Sequence, residues 1–115
     1  MKKICVIGAG SWGTALAVHL ANLDFSVWLW GRVEDGIDLI KSERENHRFL
    51  PGITIPENIF PETDPMLALQ DADVLVLSVP SQVLRSVLQK LQPYIPADAY
   101  IVNTAKGLEI STGMR

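Results

Sequence analysis

Nothing in this sequence narrows the choice of folds as much as three glycines, Gly8, Gly10 and Gly13, set directly behind the apolar run Ile4-Cys5-Val6-Ile7. The run has the β-branched character of a short strand, and Thr14 to Leu23 reads as a helix. The glycines therefore occupy a strand-to-helix turn with G-x-G-x-x-G spacing. Each has its own mechanical reason. Gly8 lets the chain turn sharply off the strand, Gly10 leaves bare backbone for a pyrophosphate to approach, and Gly13 lets the helix lie close to the strand. The unpaired N–H groups of the first helical turn, at the positive end of the helix dipole, then face the phosphates. A glycine-rich turn with no ligand would carry the same three residues. The strand immediately before and the helix immediately after favour a dinucleotide site.

Strand and helix patterns alternate along the rest of the chain. The first helix carries Leu16, Leu20 and Leu23 on one face, with Ala15, Ala17 and Ala21 small enough for close packing on a sheet. Phe25 to Trp30 reads as the second strand, and Val33 to about Asn46 as a polar, helix-prone stretch. Pro51, Pro56 and Pro61 punctuate a loop with room for at most a short strand around Ile53 or Ile59. Thr63-Asp64-Pro65 reads as a helix start, with Thr63 or Asp64 as cap and Met66, Leu67 and Leu69 as the buried face. Asp73 to Pro80 is nearly all apolar, as in a strand buried on both faces of a parallel sheet. Ser81 is placed to cap the helix carrying Val83, Leu84, Val87, Leu88 and Leu91. Gln92-Pro93 ends it, and Ala99 to Asn103 forms the last strand. The alternation predicts an α/β fold, a Rossmann-type doubly wound parallel sheet with right-handed crossovers. Residues 1–115 make one domain, and Ile110 to Arg115 carry no apolar pattern to close a further element. A longer protein is therefore expected.

With 48% apolar and 20% charged residues the chain has the composition of a folded domain. Its net charge of −3 argues against a general binder of nucleic acid or membrane surfaces, which leans on basic excess. Cys5, the only cysteine, reads as a small buried residue, and no C-x-x-C or Cys/His cluster suggests a metal site. Lys2-Lys3, an apolar stretch and Ala15-Leu16-Ala17 imitate a secretory signal, but the three glycines interrupt its core. No unbroken apolar run of about eighteen residues exists to span a membrane. A cytoplasmic protein is expected.

In open parallel sheets ligands bind beyond the carboxyl ends of the strands. Four such ends are visible: Gly8 to Gly13, Gly31-Arg32, Val79-Pro80-Ser81 and Thr104-Ala105-Lys106-Gly107. An acidic residue at the end of the second strand would accept a ribose 2′-hydroxyl. Here Arg32 stands there, while Glu34 and Asp35 come later, where the next helix should start. A guanidinium stacks on adenine or pairs with a 2′-phosphate, so Arg32 tilts the choice toward NADP(H), with NAD(H) as the alternative. A solvated surface arginine is the competing reading. Lys106 is placed to reach a phosphate or a polarised carbonyl oxygen, or else is a solvated loop lysine. Trp12 either covers the pyrophosphate or packs. His19 and His47 lack an evident orienting carboxylate, and no serine has a histidine partner at a recognisable spacing. No catalytic residue is assigned within this chain.

Gly8-Ala9-Gly10-Ser11-Trp12-Gly13-Thr14-Ala15-Leu16-Ala17 closely resembles the opening of bacterial NAD(P)-dependent sn-glycerol-3-phosphate dehydrogenases. So do Leu29-Trp30-Gly31-Arg32, the Glu45-Asn46 to Phe49-Leu50-Pro51-Gly52 segment, Val79-Pro80-Ser81 and Ala105-Lys106-Gly107-Leu108-Glu109, in that order. The resemblance implies reversible reduction of dihydroxyacetone phosphate to sn-glycerol 3-phosphate, which feeds phospholipid synthesis. It implies cofactor contacts by Ser11, Trp12 and Phe49, and a place for Arg32 near the adenosine 2′-phosphate. It further implies that Lys106 touches both cofactor and the phosphorylated small-molecule substrate. In this family a helical C-terminal domain follows, supplying the catalytic lysine and most substrate-phosphate ligands; the full-length form allows a homodimer. That domain is absent from the 115 residues, so the chain alone is expected to be inactive. A free-standing dinucleotide-binding module or inactive remnant is the alternative.

Overall fold

Side chains of the first strand point alternately to two sides, and this alternation divides the core into two layers. The computed structural model describes residues 2–104. In chain order the elements are β1 (Lys3–Ile7), α1 (Ser11–Asn22), β2 (Ser26–Trp30), α2 (Ile37–Glu43), β3 (Glu45–Asn46), β4 (Leu50–Thr54), β5 (Ile59–Glu62), α3 (Pro65–Leu69), β6 (Val74–Leu77), α4 (Ser81–Leu91) and β7 (Tyr100–Asn103). Short 3-10 turns lie at Val33–Asp35 and Gln92–Tyr94. Five strands form one sheet in the order β5-β2-β1-β6-β7, and every pairing is parallel. The order reverses beside β1, at the crevice where open α/β sheets bind ligands.

Ile4 and Val6 of β1 and Val27 and Leu29 of β2 pack beneath Ala17 and Ala21 of α1 and Ile37 and Ile40 of α2. Cys5 and Ile7, with Leu75 and Leu77 of β6, face the opposite layer of Ala68, Leu69, Val87 and Leu91 from α3 and α4. Helices thus cover both faces, and the doubly wound Rossmann-type sheet expected from the sequence is present. Among the described residues no helix is long and apolar enough to cross a membrane.

Several local expectations are corrected. Helix α1 starts at Ser11 rather than Thr14, which puts Ser11, Trp12 and Gly13 in its first turn. Its innermost line is Gly13, Thr14, Ala17 and Ala21, with Leu16 and Leu20 flanking and Leu23 exposed. In α3 the cap is Asp64, whose carboxylate accepts the Met66 N–H at 2.9 Å. That helix has only five residues, so one turn faces the sheet: Ala68 and Leu69 are buried, whereas Met66 and Leu67 are exposed. Ser81 does not cap α4; Pro80 holds that place without a side-chain hydrogen bond. The proline-punctuated loop contains two strands, β4 in a hairpin with β3 and β5 at the sheet edge. Pro61 is tolerated in β5 because that strand lies at an edge.

Lys3 finds its use in this fold. Its ammonium donates to the carbonyls of Leu67 at 3.2 Å and Gln70 at 2.6 Å and lies 4.1 Å from the Trp28 ring centre, closing the end of α3.

Cys5 is fully buried between these layers, and burial pushes its thiol up to about 12, with Lys3 opposing the rise. Native protein should therefore resist thiol reagents and react only on unfolding. Because the unfolded thiol releases its proton first, stability should fall as pH rises above the ordinary thiol range toward about 12. Reagent labelling with and without urea, and thermal melts across alkaline pH, check the two outcomes. Rapid labelling of the folded chain would refute the burial.

Candidate dinucleotide site

The carboxyl ends of β1, β2 and β6 converge on the glycine turn. Gly8 has φ +113° and donates its N–H to the Trp30 carbonyl at 2.8 Å, which joins the turn to the end of β2. A methyl group at Gly13 would lie 2.0 Å from the Gly8 carbonyl oxygen, so α1 can sit this close to β1 only with glycine there. At Gly10 the same methyl group would meet nothing within 4 Å. The first and third glycines are thus demanded by packing, while the middle one faces open space. Gly10 also precedes α1 with no side-chain cap, leaving the first-turn N–H groups of Ser11 and Trp12 without one.

A cleft of about 210 Å³ opens at this point, lined by Gly8, Gly10, Arg32, Asp35, Phe49 and Pro80 among others. A larger hollow of about 560 Å³ beside Leu84, Arg85 and Leu88 of α4 includes none of the residues selected by the glycine motif. Open backbone at Gly10, an uncapped helix start and an adjoining guanidinium suit a phosphate-bearing dinucleotide.

The cleft is held by two polar residues that sequence reasoning passed over. Asn46 is buried, and its amide donates to the Ala9 carbonyl at 2.9 Å and to Thr14 Oγ1 at 2.8 Å. Its own oxygen accepts the Phe49 N–H at 3.2 Å. One side chain therefore joins the glycine turn, α1 and the β3–β4 connection that carries Phe49. Ser78 donates Oγ–H to the Ile7 carbonyl at 2.8 Å and ties β6 to the end of β1. Burial of Asn46 depends on a carbonyl 37 positions earlier. No local pattern announces it.

Arg32 is not a bare surface cation. Both oxygens of Asp35 engage it: Oδ2 accepts from the Arg32 backbone N–H at 2.9 Å and from Nε at 3.2 Å, and Oδ1 from Nη2 at 3.0 Å. Glu34 lies 4.0 Å from Nη1. The acidic pair expected to begin the next helix instead forms a 3-10 turn folded back onto Arg32. The hydrogen bond that the guanidinium donates to Asp35 raises it above its already high range. Partial burial would raise the Asp35 carboxyl, but the bonds and charge of Arg32, with the charge of Arg48, outweigh that and hold it below the usual carboxylate range. Arg48 also donates to the Glu34 carbonyl at 3.2 Å and lies 4.9 Å from the Phe49 ring centre.

Trp12 is exposed, and its indole N–H reaches Thr104 Oγ1 at 3.2 Å, beyond the end of β7. Thr104 in turn donates to the Leu77 carbonyl at 2.7 Å. Lys106 lies outside the described residues. His19 is exposed. His47 corrects the expectation of no orienting carboxylate: Nε2 lies 2.7 Å from Glu43 and Nδ1 3.1 Å from Glu45. The Glu43–His47 spacing of one helical turn was the legible part. The left-handed turn at Arg44 brings in the second acid.

Residues 3–115 match the family model for the N-terminus of NAD-dependent glycerol-3-phosphate dehydrogenase. The chain is 56% identical over 115 residues to the NAD(P)+ glycerol-3-phosphate dehydrogenase of Syntrophomonas wolfei, covering 100% of this chain and 34% of that one. It is 47% identical over 113 residues to the corresponding enzyme of Carboxydothermus hydrogenoformans, covering 98% and 34%. A crystal structure of glycerol-3-phosphate dehydrogenase from Coxiella burnetii superposes with a TM-score of 0.87 at 36% identity, over 93% of this chain and 33% of that one. The chain thus spans about a third of the length of these relatives.

The two structural classes of glycine can be separated by substitution. Gly13→Ala should cost about 3 kcal/mol or more through backbone overlap. Gly10→Ala should stay within about 1 kcal/mol of the parent, yet weaken dinucleotide binding by obstructing close approach. Urea denaturation beside a fluorescence titration reads both. Equal destabilisation by the two would remove the distinction.

Proposed function

The chain belongs to the NAD-dependent glycerol-3-phosphate dehydrogenase family, matching its N-terminal part, and on that premise we propose that residues 1–115 are the cofactor-holding domain of an oxidoreductase interconverting dihydroxyacetone phosphate and sn-glycerol 3-phosphate. The product would feed phospholipid synthesis in the cytoplasm. The observation that carries this reading is the glycine turn, with Gly10 open to the cleft and α1 uncapped beside it.

A bound nicotinamide dinucleotide supplies or takes up the hydride. This chain's residues do the holding. Gly8, Gly10 and Gly13 bring bare backbone and the start of α1 up to the pyrophosphate, with Ser11 and Trp12 contributing first-turn N–H groups. Phe49 borders the nucleotide, fixed through Asn46. Arg32 meets the adenosine 2′ end, which favours NADP(H) while NAD(H) is still accepted. Lys106 touches cofactor and the substrate phosphate or carbonyl. The catalytic lysine and most substrate-phosphate ligands belong to the remaining two-thirds of the enzyme, so residues 1–115 alone bind without turning over.

The test is made on the full-length protein and on residues 1–115 in parallel. Oxidation of NADPH by dihydroxyacetone phosphate is expected from the former only, and NADPH binding from both. Turnover by residues 1–115 unaided would refute the division of labour; no turnover by the full-length protein would refute the substrate. Arg32→Ala should weaken NADPH about tenfold and NADH about twofold or less, as expected for loss of one charge-assisted contact. Equal weakening would remove the 2′-phosphate role.

A further inference from the structure

The guanidinium assigned to a 2′-phosphate already has a partner. Asp35 fills the Nε–Nη2 edge of Arg32 with both carboxylate oxygens and also accepts the Arg32 backbone N–H. The Nη1 side faces Glu34 at 4.0 Å. A phosphate dianion seeks the same bidentate edge that a carboxylate takes. It must therefore displace Asp35 or bind beside it, at the cost of bringing like charges together. A 2′-hydroxyl raises no such conflict, because a carboxylate can accept its proton in a hydrogen bond. Both Arg32 and Asp35 line the same cleft, so the contest takes place where the adenosine end would lie.

We propose that Asp35 is a selectivity-setting positioning residue, which competes with a cofactor 2′-phosphate for Arg32 and so limits the preference for NADP(H) over NAD(H). This rests on the dinucleotide reading above. Asp35 acts through Arg32. The guanidinium favours the phosphate, the carboxylate taxes it, and the difference sets how far the site discriminates. Glu34 adds a weaker repulsion from the other side, and Arg48, whose charge acts on Asp35, is a further cation to which a displaced Asp35 can turn.

The test uses two small probes, adenosine 2′,5′-bisphosphate and adenosine 5′-diphosphate, titrated calorimetrically against the full 115-residue chain and its variants. Asp35→Asn keeps an acceptor for the Arg32 N–H and removes the charge. It should tighten the 2′,5′-bisphosphate about tenfold, the scale of one charge-assisted hydrogen bond, and change the 5′-diphosphate about twofold or less. Asp35→Glu should keep the parental ratio, and the gain should vanish in an Arg32→Ala background. Asp35→Ala provides a second uncharged variant should Asp35→Asn fold poorly. Equal shifts for both probes would make Asp35 merely structural and overturn the proposal. Weaker 2′,5′-bisphosphate binding would mean that Asp35 presents Arg32 rather than competing for it, and would also overturn it. If the parent bound neither probe, the dinucleotide reading would fall together with this one; if it bound both and only the ratio test failed, the dinucleotide reading would survive.

Discussion

At Gly13 the backbone of α1 comes so near the end of β1 that a single methyl group would sit 2.0 Å from the Gly8 oxygen. The rest of the site follows from that approach. With α1 this close, its uncapped start is aimed past Gly10, and the second layer of small residues, Ala17 and Ala21, can pack against Ile4, Val6 and Val27. Asn46 and Thr14 fill the polar remainder of the same contact with buried hydrogen bonds. Leaving such groups unpaired costs about 1–3 kcal/mol each, so the network specifies one arrangement of turn, helix and hairpin.

Much of the fold was readable because it depends on local rules. Unbroken apolar strands such as Val74 to Leu77 announce burial on both faces, and glycine spacing announces the turn. What escaped depends on contacts distant in sequence. Strand β5 carries Pro61 and the half-exposed Phe60, and forms because β2 offers an open edge and Trp28 stacks on Phe60 at 4.4 Å between ring centres. Met66 and Leu67 looked like core but sit on a helix too short to turn them inward. Asn46 looked like a polar helix end and is among the most buried side chains.

The site itself divides in the same way. Gly8, Gly10, Gly13 and Arg32 were identifiable from spacing along the chain; the structure brings Gly8, Gly10 and Arg32 to one cleft and packs Gly13 against the Gly8 backbone behind it. Asp35 was misjudged because its sequence neighbourhood suggested a helix start, whereas the 3-10 turn returns it to Arg32. Short-range charge pairing of this kind changes what an arginine can do without changing where it stands.

The indole of Trp12 has an optical consequence. Trp28 lies beneath Phe60, and the Trp30 N–H is taken by the Thr63 carbonyl at 2.9 Å. Trp12 instead stands at the mouth of the glycine turn, 55% exposed and tethered to Thr104. Its emission therefore reports on the polarity of that rim. A reduced nicotinamide seated nearby would draw energy from it by resonance transfer, so the protein carries its own built-in donor for following occupancy of the cleft in real time.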